Sequence, residues 1–254
     1  MRQYANPPLV EAICEFQFLP GSPWDATVLG LVYERVKGEF PQKAQLPPPL
    51  FNLTIGASPQ AGAAPASRMQ FRRADNSALL QVGPDSLTVN HLSPYGGWPR
   101  FLAMIESALS AYREVAAPQG LKRLALRYIN RICVPAALVN AQGVPLSDYV
   151  LTYPNVPGQE SAVFSQWAQR VEILGEGAPR LVLQSGTAQS SQEFPIVILL
   201  DLEVSPADGQ TVLLTEAANW LVQAHTRVEV MFEACLGPKA RALFESSEDS
   251  IPAA

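Results

Sequence analysis

Alternation of apolar and polar residues over 9–18, LVEAICEFQF, predicts a half-buried strand. Val10, Ala12, Cys14, Phe16 and Phe18 face one way, while Glu11, Glu15 and Gln17 share the other face with Leu9 and Ile13. The period then lengthens. Over 24–40 the residues Trp24, Val28, Leu31, Val32, Arg35 and Val36 fall on one helical face, with Ser22 as the expected N-cap and Pro23 at the first helical position. The stretch 41–50, PQKAQLPPPL, reads as a connector, because its prolines lack the N–H a helix interior or central strand needs.

Short strands are predicted next at LFNLTIG (50–56), within SRMQFRRAD (67–75), at SALLQVG (77–83) and at DSLTVNHL (85–92), the middle two joined as a hairpin around Asp75-Asn76. The small-residue run 57–67 between the first two reads as a mobile loop. A second helix follows over 98–116, with Phe101, Leu102, Ile105, Ala108, Leu109 and Tyr112 on its apolar face. The pattern continues with a strand at 122–134, a short helix within 145–153, and three strands within 161–175, 179–188 and 194–204. A long helix over roughly 210–235 closes the chain, with Leu213, Ala217, Trp220, Leu221, Ala224, Val228, Met231 and Phe232 inward, and residues 245–254 form an expected disordered tail.

The fold class expected is α+β: antiparallel sheet packed on two long helices. The order strand, helix, strands, helix occurs twice, over 1–120 and 121–244, so the halves are expected to be related and to form a pseudo-dimer. One continuous curved sheet gripping both helices is the alternative, and it gives the same class.

Composition narrows the function classes. Of 254 residues, 48% are hydrophobic and 16% charged, which is globular composition. A net charge of −5 gives no general attraction to nucleic acid or anionic membranes. Arg68, Arg72 and Arg73 flank Phe71, a weak nucleic-acid cue that ranks last. The N-terminus lacks a signal-peptide h-region and the longest apolar run, FPIVILL, is too short to span a bilayer, so a soluble, cytoplasmic protein is expected. The three cysteines, Cys14, Cys133 and Cys235, are widely spaced in apolar contexts and read as buried thiols, without metal-ligand pairing. Of the two histidines, His225 lies i,i+4 from Glu229 on the last helix, which reads as a surface contact, and neither sits in a catalytic motif. PYGGWP at 94–99 lacks the spacing of a phosphate loop and reads as a turn.

The remaining candidate chemistry lies on strand faces. Arg127 and Arg131 share one face of LALRYINRICV (124–134), matching the spacing of Glu11 and Glu15, and Asp201 and Glu203 share a face of the 194–204 strand. Residues four apart along a strand stand roughly 13 Å from each other. An antiparallel pairing puts Arg131 opposite Glu11 and Arg127 opposite Glu15; a parallel one puts Arg127 opposite Glu11. Glu11, Glu15, Arg127, Arg131, Asp201 and Glu203 are therefore the candidate binding residues, either as a ladder of ion pairs or as a groove that recognises a partner. Asn130, on the opposite face, joins them as a buried amide that needs hydrogen-bond partners and is expected to tie down a loop or helix end. No catalytic residue, metal site or cofactor is expected.

NPPLVEAICEF near the N-terminus, LRYINRI in the middle and AHTRVEVMFEACLGPKARALF near the end resemble a sporadically distributed prokaryotic family of uncharacterised proteins about the length of this chain. The matching positions are Pro7, Pro8, Glu11, Glu15, Arg127, Tyr128, Asn130, Arg131, His225 and Phe232; the family's threonine after FE is replaced by Leu236-Gly237. The resemblance implies one family unit and, from patchy distribution, an accessory or defence-related role, but no activity. The function expected is a non-enzymatic protein-interaction or scaffold module, its partner another protein, a second copy included. The alternative expectation is a small-molecule or enzymatic pocket between sheet and helices, with Arg127 and Arg131 as anion contacts.

Overall fold

A computed structural model describes residues 4–46, 68–141, 143–158, 164–175 and 177–245. The strands are β1 (Leu9–Leu19), β2 (Gln42–Leu46), β3 (Arg68–Arg72), β4 (Ala78–Gly83), β5 (Ser86–Leu92), β6 (Gly120–Val134), β7 (Ala168–Gly175), β8 (Ala178–Thr187) and β9 (Ile196–Ser205). The helices are α1 (Ala26–Val36), α2 (Trp98–Ala116), α3 (Ala217–Cys235) and α4 (Pro238–Glu245). The fold is α+β, with one nine-stranded antiparallel sheet in the order β2-β3-β4-β5-β1-β6-β9-β8-β7. Among the described residues no helix is long and apolar enough to cross a membrane. The predicted strand at 50–56, the loop at 57–67 and the tail beyond Glu245 lie outside the described residues.

The chain divides into two compact units, one comprising Ile13–Ala125 and Thr211–Asn219, the other Met1–Ala12, Leu126–Gln210 and Trp220–Ala254. In the first, the alternation of β1 buries Cys14, Phe16 and Phe18 completely or nearly so. Phe18 stacks on Tyr112 of α2 at 4.6 Å between ring centroids, and the Tyr112 hydroxyl donates to the carbonyls of Pro84 (2.6 Å) and Gly83 (3.2 Å) in the β4–β5 turn. The β3–β4 hairpin turns where expected. Asn76 takes the left-handed conformation (φ 59°), and Asp75 accepts from the Ser77 N–H at 2.9 Å.

Several expectations for this unit are corrected. Asp25, not Ser22, caps α1 by accepting from the Thr27 N–H, so the helix starts later than the sequence suggested. Leu31 is exposed, because only Val28, Val32 and Val36 lie on the stripe that packs. The connector at 41–50 contains β2: its proline-free residues pair with β3 on one side only, and the prolines fall outside the strand.

In the second unit the core gathers Ile132, Tyr149, Val150, Trp167, Ile198, Leu236 and Phe244, with Tyr4 packed against it and edge-on to Phe244. The expected short helix is a single 3₁₀ turn, Leu146–Asp148. The long helix begins at Ala217 rather than near 210, which leaves Leu213 exposed. The chain also forms α4, an eight-residue helix after Gly237 with proline at its first position, which the apolar periodicity does not predict.

Candidate functional site

On β6 every second side chain from Arg123 to Cys133 points to one face; the intervening Tyr128, Asn130 and Ile132 are buried on the other, toward α3. In the second unit the facing strands complete both surfaces: Arg127 lies opposite Glu203 and Ile129 opposite Asp201 of β9, and Asp201 in turn lies opposite Gln184 of β8. The strand order thus brings Glu11, Arg127, Asp201 and Glu203 onto one face of the same unit.

Arg127 is the centre of this group. Its Nε donates to Asp201 Oδ1 (2.8 Å) and its Nη2 to Asp201 Oδ2 (2.5 Å), a two-pronged clamp that a lysine cannot reproduce. Gln184 Nε2 supplies a further donor to Asp201 Oδ2 at 3.2 Å. The hydrogen bonds to Asp201 hold the Arg127 guanidinium above its ordinary pKa against partial burial, with smaller contributions from the charges of Glu203 and Glu11. The Asp201 side chain is 12% exposed and that of Arg127 is 37% exposed, so the carboxylate is sunk into the sheet while the guanidinium reaches the surface.

The pairing expected from the sequence is therefore corrected. Arg127 takes Asp201, not Glu15. Glu15 pairs with Arg123 (2.9 Å) within the first unit. Arg131 does not pair with Glu11: its Nη2 donates to the Gln189 carbonyl at 3.2 Å, and its backbone N–H donates to Pro8. Arg131 meets Pro8 and Arg123 meets Glu15, so the strands run antiparallel as the first alternative required but in a displaced register, and Glu11 acts on Arg127 instead of Arg131. Arg127 is clamped by Asp201 while part of its side chain stays at the surface.

Asn130 is buried and hydrogen-bonded as expected, but its partner is the neighbouring strand and not a loop or helix end. It is 4% exposed and donates to the Leu200 carbonyl of β9 at 3.2 Å. The same row continues on β8 with buried Ser185, whose hydroxyl donates to the Thr152 carbonyl at 2.8 Å and accepts from Gln169 at 3.0 Å. Beside it, Tyr128 Oη lies 3.0 Å from His225 Nδ1, and His225 Nε2 lies 3.0 Å from Glu229 Oε2. The second contact lacks hydrogen-bond alignment and is an ion contact at most. His225 is 8% exposed, so the surface contact expected of it is an internal tie between α3 and β6. The spacing placed His225 and Glu229 on one face, but nothing local showed that the face turns inward.

Two of the basic residues around Phe71, Arg72 and Arg73, are engaged within the chain. Arg73 pairs with Glu39 and lies over the Phe40 ring, and Arg72 donates to Gln70 and Asn76. Among the described residues, no three His, Cys, Asp or Glu side chains are grouped so as to hold a metal ion. No family model matches this chain, and no curated protein matches its sequence.

Replacing Arg127 with alanine leaves the sunken Asp201 without its main partner. Breaking a buried pair costs about 3–5 kcal/mol, and the exposure of Arg127 reduces the expected loss to about 2 kcal/mol in urea denaturation. Arg131→Ala should stay within about 0.5 kcal/mol. A double-mutant cycle should give Arg127–Asp201 a coupling above about 1 kcal/mol and leave Arg131–Glu11 within the additivity scatter of about 0.3–0.5 kcal/mol. Equal couplings in the two cycles would contradict the observed register.

Proposed function

We propose that this protein is a non-enzymatic interaction module and that the open sheet face around Arg127 docks another protein. The observation that carries this reading is the clamp itself: Arg127 is held by both oxygens of Asp201, yet more than a third of its side chain is exposed. A guanidinium already fixed in orientation loses little entropy when a partner covers it, and arginine is enriched in protein interfaces for this reason among others. Glu11 and Glu203 flank it and supply charge pattern rather than chemistry.

In the same reading the two halves of the chain are duplicates. The strand order supports this. Each half starts with a central strand, β1 or β6, steps out to a sheet edge, returns strand by strand and then forms a 19-residue helix, to which the second half adds the short α4. The three motifs that resemble the sporadic prokaryotic family lie in both halves, which favours one accessory unit over two unrelated domains.

The test is affinity capture from the native host with the immobilised chain, beside Glu203→Lys and Glu11→Lys variants of unchanged circular dichroism. A protein enriched by the wild type and weakened by both reversals supports the docking face. Enrichment indifferent to both reversals, or none at all, removes it.

A further inference from the structure

The two edges of the sheet are built differently. β2 carries glutamine, lysine and alanine, all exposed, and is bracketed in sequence by Pro41 and Pro47. That is a blunted edge. At the other edge β7, AQRVEILG, leaves Val171 44% and Leu174 64% exposed, and no described strand pairs with its outer side.

The direction of its backbone groups follows from two hydrogen bonds. Thr187 N–H donates to the Trp167 carbonyl, and Ala188 N–H donates to the Val197 carbonyl of the β9 side. Odd-numbered residues of β8 therefore turn toward β7 and even-numbered ones toward β9. With Gln169 opposite Ser185 and Val171 opposite Leu183, the odd residues of β7 bond inward to β8. Arg170 and Glu172 consequently point their N–H and C=O groups outward, until the register shift between Ile173 and Gly175 ends the regular ladder.

An antiparallel copy of β7 can add to this edge only where outward groups meet outward groups, so even residues must face even residues. Centring the two-fold axis on Arg170 sets arginine against arginine, and centring it on Glu172 sets glutamate against glutamate. Like charges directly opposite are unfavourable. Centring it on Val171 places Arg170 of each copy opposite Glu172 of the other and brings the exposed valines together as a close, non-hydrogen-bonded pair. Glu172 already lies 3.1 Å from both Arg170 and Arg180 of its own chain, so its carboxylate is held in place where Arg170 of the other copy arrives.

We propose that two copies of this chain pair through β7, antiparallel about an axis at Val171, and continue the sheet from one copy into the other. Arg170 and Glu172 lie on the same sheet face as Arg127, in rows that run through Gln184–Asp201 and Val182–Glu203, but the pairing uses the backbone edge of β7 and is tested by its own variants, so either proposal can fail without the other.

Light scattering across a concentration series tests the pairing. The wild type should rise toward twice the monomer mass. Arg170→Glu and Glu172→Arg each set like charges opposite and should return the mass to that of the monomer, while the combined R170E/E172R restores opposite charges and should recover the dimer. Val171→Cys should give an intermolecular disulfide on mild oxidation, because the Cα atoms of such a pair stand about 4.5 Å apart, within disulfide range. A wild type that stays monomeric overturns the proposal. So does a dimer indifferent to both single reversals, or a double reversal that stays monomeric with unchanged circular dichroism, or an absent cross-link at residue 171.

Discussion

Replacing Tyr112 with alanine is expected to lower the unfolding free energy by about 4 kcal/mol, the loss typical of a large aromatic removed from a close-packed interior. Tyr112 is 1% exposed and stacks on Phe18 within the first unit. Its removal leaves a void that backbone-anchored neighbours cannot fill, and it strips the Gly83 and Pro84 carbonyls of their donor. Tyr112→Phe separates the two effects: it keeps the ring and should cost only about 1–2 kcal/mol for the hydroxyl. The pH dependence gives a second check. Burial, reinforced by the charge of Asp85, pushes the Tyr112 phenol above its ordinary pKa. The unfolded chain therefore releases this proton first, so stability falls as pH rises beyond about 10. The phenylalanine variant should lose that part of the alkaline decline. An unchanged alkaline slope, measured by urea denaturation at several pH values, would contradict the burial of the hydroxyl.

Gly237→Ala is expected to cost about 3 kcal/mol or more, at the upper end of what overpacking does. A methyl group there would lie 2.3 Å from the Asp148 carbonyl carbon and 2.5 Å from the Ser147 oxygen, both backbone atoms. Neither side can move away cheaply. Gly237 N–H donates to Tyr149 O at 3.0 Å, Leu151 N–H donates to Cys235 O at 2.7 Å, and Lys239 Nζ meets Asp148 Oδ2 at 2.8 Å. The junction of α3 and α4 is thus sewn to the 3₁₀ turn, and only a residue without a side chain fits the seam. Thermal unfolding should show a fall of several degrees; a melting point within a degree of the wild type would show that the seam is looser than the geometry implies.

Much of this architecture was legible because alternation is a local signal. β1 and β6 each declare a buried and a more open face within a few residues, the charges of β9 mark one of its faces, and the parity that puts Arg127, Asp201 and Glu203 on one face follows from this. Which carboxylate meets which arginine was not legible. Register depends on where strands far apart in sequence come to rest, and a displacement along β1 exchanged Arg131 for Arg127 as the neighbour of Glu11. β2 was hidden by the prolines around it, since the rule against proline in central strands does not reach a short edge. α4 was too short for its period to register, although glycine followed by proline at 237–238 marks a stop and a start. For His225 the helical spacing gave the right face, but burial of that face depends on Tyr128, nearly a hundred residues earlier in the sequence.

The cysteines supply the chain with chemical clocks. Cys14 is wholly enclosed in the first unit, and burial, aided by the charge of Glu15, drives its thiol well above the ordinary range. Cys235 in the second unit is 2% exposed, and burial pushes its thiol up to about 11. Alkylation needs both access and a thiolate, so each sulfur stays silent until the structure around it opens. Cys133, only partly covered, marks the time before that. The rate at which iodoacetamide reaches Cys14 therefore times the opening of one unit and the rate at Cys235 times the other, under native conditions and without any label added to the chain.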